Sequence, residues 1–156
     1  MQDLSDSLNP LLANELALYA SLFELLHQEN EALRQRDIDS LETVTCKKIT
    51  LIQHLKDSIR QRQAYWPDTD HQDTANISMA LANADNQETA ALWQQLCGLA
   101  TDCQDSNRLN GLLIQQLKLQ TQQAINILCD HRPDHTALYD LQGLNTSLPN
   151  SRNIIS

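Results

Sequence analysis

A stripe of apolar residues in the second half of this chain, uninterrupted by proline, constrains its fold more than any other feature. From Gln87 to Cys129 apolar side chains recur at steps of four and three. They fall at Leu92, Leu96, Leu99 and Cys103, then at Leu113, Leu117, Ala124 and Leu128. That is the heptad rhythm of a helix lying in a seam with other helices. Ser106 and Asn110 take polar beats between them, and no proline falls between Pro67 and Pro133. The stretch predicts one helix of about 40 residues, roughly 60 Å long at 1.5 Å per residue. A chain of 156 residues is one domain's worth of material, and it accommodates such a helix only if its other helices run alongside.

The rest of the composition agrees. Three glycines, four prolines and 4% aromatic residues are too few turn and strand formers for a sandwich or an α/β fold. The formal charge of -9 argues against nucleic acid, where affinity comes from cations neutralising phosphates. It argues equally against an anionic membrane surface and leaves an acidic chaperone, adaptor or regulator. Met1 to Asp6 lacks the basic and apolar regions of a secretory signal. No apolar run reaches the ~20 residues of a membrane-spanning helix. A cytoplasmic protein is expected, with Cys46, Cys97, Cys103 and Cys129 as reduced thiols that behave as small hydrophobes.

Upstream, a broad apolar stripe runs from Leu4 to Leu33, wide enough for two neighbours. Pro10 either kinks this helix or marks its first turn. The pattern breaks at residues 36–40, where Asp37 or Asp39 is a candidate cap and Glu42 follows Asp39 in a capping-box arrangement. A second helix then carries Leu41, Val44, Leu51, Ile52, Leu55 and Ile59 on one face, ending before Trp66-Pro67. The expected architecture is all-α: an elongated antiparallel bundle or coiled coil of three long helices, with a short connector helix and a flexible C-terminal tail. Its parts are a helical bundle over 1–130 (hairpin 4–65, connector 67–86, long helix 87–129) and a tail over 131–156. Within the connector, Ile77 to Ala82 is a candidate short helix.

Charges inside the stripes set a register. Glu15 and Glu29 lie on the first stripe, fourteen residues apart, and Lys48 and Arg62 lie on the second with the same spacing. Facing residues of an antiparallel hairpin have a constant total of residue numbers. Positions 29 and 48 total 77, as do 15 and 62. The same total sets Leu26 opposite Leu51, Leu22 opposite Leu55 and Leu33 opposite Val44, with its midpoint at the break. Two structural ion pairs, Glu15–Arg62 and Glu29–Lys48, are therefore expected. Paired catalytic carboxylates are not, because fourteen helical residues separate Glu15 and Glu29 by ~21 Å.

Other chemistry is sparse. His54 is followed by Lys56 and Asp57, whereas a histidine phosphotransfer motif has its lysine three positions after the histidine rather than two, and a small residue after that lysine where this chain has Asp57. Cys129, Asp130, His131 and His135 offer a single cluster of ligand-type residues broken by Arg132-Pro133, against the two ligand pairs of a structural zinc site. No phosphate loop, nucleophile elbow or His-Glu-x-x-His motif occurs. Neither enzymatic activity nor a metal or cofactor is expected. The apolar island Ala137-Leu138-Tyr139-Asp140-Leu141-Gln142-Gly143-Leu144 is too short to build its own core. On spacing alone it is a recognition element that folds on a partner, a segment packed on its own bundle, or a disordered stretch.

Taken together, the residues resemble the FlgN family of flagellar export chaperones. The opening hairpin is similar to the family's pattern at Leu11-Leu12, Glu15, Leu22, Leu25-Leu26, Glu29, Ala32-Leu33, Asp37, Leu41, Lys48, Leu55 and Arg62. The long helix with Asn107 and Asn110 and the later Tyr139-Asp140…Gly143 element match as well. The resemblance implies a cytosolic chaperone that binds the C-terminal helical segments of hook–filament junction proteins. It would prevent their premature assembly and deliver them to the type III export gate, where it docks on the gate protein FlhA. It also implies client or gate contacts at Leu128, Leu138, Tyr139, Leu141, Gly143 and Leu144. A coiled-coil adaptor of another secretion system and a histidine phosphotransfer domain are the alternative readings.

Overall fold

A computed structural model describes residues 2–65 and 86–130, the side chains of residues 2–5 excepted. Those residues form three helices and no strand: α1 (Gln2–Gln35), α2 (Ile38–Ala64) and α3 (Gln87–Asp130). The fold is all-α. The proposed connector helix at residues 77–82 and the tail over 131–156 lie outside the described residues.

Local chemistry accounts for the helix ends. At the end of α1 the Asp37 amide donates to the Ala32 carbonyl at 2.9 Å and the Arg36 amide to the Leu33 carbonyl at 3.3 Å. These are the two bonds of a Schellman turn. Its left-handed position is filled by Arg36 at φ 56°, where glycine is usual. The next residue, Asp37, opens α2 as its N-cap and accepts from the Ser40 amide at 3.1 Å and the Ser40 hydroxyl at 2.6 Å. Of the two aspartates able to cap, Asp37 does so. Asp39 lies in the first turn, so the Asp39–Glu42 box is not the start of the helix. Asn86 caps α3, accepting from the Glu88 amide at 3.2 Å. Pro10 is exposed within α1, which continues on both sides of it.

The chain divides into two units, Met1–Ile114 and Gln115–Ser156, and α3 contributes to both. In the first unit α1 and α2 run antiparallel, while α3 runs parallel to α1. Asn9 bonds Thr89 and Asn30 bonds Asn110, each pair 80 positions apart. Two apolar clusters make the core. Leu8, Leu12, Trp93 and Leu96 form one, and Leu22, Leu26, Leu55 and Cys103 the other. Each leucine so buried contributes about 1.5–3 kcal/mol.

The buried face of α3 corrects the expected stripe. Its buried residues are Thr89, Trp93, Leu96, Cys103 and Asn110, a heptad series of steps four, three, seven and seven. Leu92 and Leu99 are only half-buried, Leu113 and Leu117 likewise, and Ala124 and Leu128 are exposed. Trp93 takes the place expected for Leu92, because the phase is set by the side chains that reach α1 and not by leucine content.

Candidate interaction surface

Two polar layers cross the first unit, fourteen residues apart on every helix. In one, Lys48 Nζ lies 3.0 Å from Glu29 Oε2 and 3.1 Å from Oε1, and donates to Asn107 Oδ1 at 2.8 Å. The buried Asn110 donates from Nδ2 to the same Glu29 Oε2 at 2.8 Å and to the Leu26 carbonyl at 2.9 Å. Its own Oδ1 accepts from Asn30 Nδ2 at 2.8 Å. Glu29 is 5% exposed, so each of these donors replaces water around its charge.

In the other layer Arg62 donates from Nε to Glu15 Oε2 at 2.7 Å and from Nη2 to Oε1 at 3.2 Å, a two-pronged guanidinium–carboxylate bond. The guanidinium carbon sits 4.9 Å from the centre of the Trp93 ring, a cation–π contact. Burial, and next the negative Glu15 nearby, raise the Tyr19 phenol above its usual pKa. Buried Cys103 donates to the Tyr19 carbonyl at 3.4 Å. Burial, followed by the charge on Asp102, pushes its thiol up to about 11. All four cysteines are free.

These layers hold the helices together. Both acids are capped by fixed donors. Among the described residues no group of three or more His, Cys, Asp or Glu could hold a metal ion. His54 is exposed.

In the second unit, every residue from 121 to 130 is exposed. Leu119 is exposed too, and Ile125, Ile127 and Leu128 present apolar side chains to solvent, the last at 67% exposure. An amphipathic helix normally buries such residues, and apolar side chains left exposed along one stretch of helix are available for contact with another chain. Of the six residues expected to contact a partner, Leu128 falls on this surface. Leu138, Tyr139, Leu141, Gly143 and Leu144 lie outside the described residues. Sequence reasoning passed over Leu119, Ile125 and Ile127 because they fall off the heptad positions.

A family model described as FlgN protein matches residues 1–147, nearly the whole chain. The chain belongs to the FlgN family. Its role is accordingly that of a flagellar export chaperone, a participant in flagellum assembly. No curated protein and no solved structure matches this FlgN chain. Among its described residues no helix is long and apolar enough to cross a membrane.

Proposed function

We propose that this FlgN chain acts in the cytoplasm on the C-terminal helical segments of hook–filament junction proteins. It holds them unassembled and delivers them to the type III export gate through the gate protein FlhA. Family membership across residues 1–147 carries the reading. The exposed apolar residues of Gln115–Asp130 support the choice of place. A client segment that self-associates offers an apolar helix face, and Leu119, Ile127 and Leu128 offer unburied apolar surface to receive it. Tyr139, with Leu138, Leu141, Gly143 and Leu144 about it, extends the contact and docks the complex at the gate. Ordering of both partners on binding keeps the affinity moderate, which suits a complex that must release its cargo.

Co-expression of the full chain with candidate junction proteins, followed by pull-down, tests this. Leu128→Glu and Tyr139→Ala are expected to weaken capture of the client or of the FlhA cytoplasmic domain while leaving the melting temperature unchanged. Full capture by both variants would refute the reading, and a large fall in melting temperature for Tyr139→Ala would show that its ring belongs to a core.

A further inference from the structure

The hairpin of the first unit carries a second apolar surface that the client-binding residues do not use. α1 and α2 enclose a groove of about 760 Å³, open to solvent and floored by Leu25 and Leu51. The groove exists because residues along its walls are small, among them Ser21 on α1 and Cys46 and Thr50 on α2. Its hydroxyls are already committed. Ser21 donates to the Ala17 carbonyl at 3.1 Å and Thr50 to the Cys46 carbonyl at 3.2 Å. An apolar ridge entering the groove thus strands neither of these donors. The rim is charged and asymmetric, with Glu24 on the α1 side and Lys47 on the α2 side. Both are exposed, and neither takes part in the ion pairs of the described residues.

We propose that this groove is a docking site for an amphipathic helix of a partner protein, basic on the flank over α1 and acidic on the flank over α2. Two parallel helix ridges with a depression between them are the surface into which a third helix packs its own ridge. The opposite charges on the two walls select a ridge with unlike flanks over one that is uniformly acidic or basic. A small ligand would want an enclosed pocket with convergent polar groups, and this groove has neither. The site consists wholly of first-unit residues and stands whether or not residues 115–156 hold the client.

The test uses the full chain and three designed helical peptides, each about 18 residues or about five turns long. They share one leucine stripe and differ in having lysine on one flank and glutamate on the other, lysine on both, or glutamate on both. Cys46, an exposed thiol in the groove, reports occupancy through its rate of alkylation by iodoacetamide, with glutathione added to the same sample as the reference. The mixed peptide is expected to protect Cys46 at the lowest concentration and to leave the alkylation of glutathione unchanged. Ser21→Trp, which fills the groove, should abolish protection without altering the thermal melt. Glu24→Lys makes both walls basic, and should shift preference to the all-glutamate peptide by roughly fivefold, the upper range for an exposed charge pair. The proposal fails if no peptide protects Cys46, if the three protect it equally, or if Glu24→Lys leaves the preference unaltered. It fails too if Cys46 becomes protected at rising protein concentration without peptide, which would show a second copy in the groove.

Discussion

At the scale of single residues, the first unit spends its buried charge on position. Glu29 accepts from Lys48 and Asn110 together, and Asn110 in turn is held by Asn30. Sliding α2 by one heptad against α1 would leave a carboxylate facing leucines, at several kcal/mol. Glu29→Ala is expected to cost about 3 kcal/mol, since it leaves the Lys48 ammonium without its counter-charge and takes one acceptor from buried Asn110. Adding Lys48→Ala should recover part of that loss, because the lone ammonium is then gone. Chemical denaturation of the single and double variants measures the coupling, and strict additivity would remove the register role. The positions of these four charges are legible in one dimension, because residues totalling 77 face each other in a hairpin. The third-helix partners were not. Lys48 with Asn107 and Arg62 with Trp93 each total 155, but that total has meaning only once α3 is known to run antiparallel to α2.

At the scale of the element, α2 and α3 each open on a short polar signal, Asp37 and Asn86. The α1–α2 turn carries the sharpest of them, since two consecutive residues, Arg36 and Asp37, donate the Schellman bonds to Leu33 and Ala32 and the second of them caps α2. The Ser40 side-chain and backbone bonds hold the Asp37 carboxyl below the usual carboxylate pKa. A carboxyl depressed in the folded state stabilises above its unfolded pKa of about 3.9, and that contribution fades as pH falls through the lower folded value. Asp37→Ala should therefore lower the melting temperature at pH 7, with the difference from wild type shrinking as the solution is acidified below pH 4. A difference independent of pH would mean that the carboxylate is not the cap. Two aspartates two positions apart were equally eligible on sequence. The turn geometry chose the first, because Arg36 at positive φ aims the chain so that Asp37 meets the open amides of α2.

At the scale of the whole molecule, burial is distributed unevenly along α3. Thr89, Trp93, Leu96, Cys103 and Asn110 are buried, whereas residues 121–130 are exposed throughout. Amide hydrogen exchange should show strong protection in α1, α2 and the stretch from Thr89 to Asn110, and faster exchange over residues 121–130, whose bonds open without breaking a core. Uniform protection along α3 would contradict this. Helical class, the three long segments and the α1–α2 register were set by the sequence alone, because heptad spacing, missing prolines and fourteen-residue charge intervals are properties of one dimension. Tertiary structure decided which of the apolar residues are core and which are surface. A leucine stripe reads the same whether or not a neighbour covers it, and only the arrangement of the helices in space supplies or withholds that neighbour.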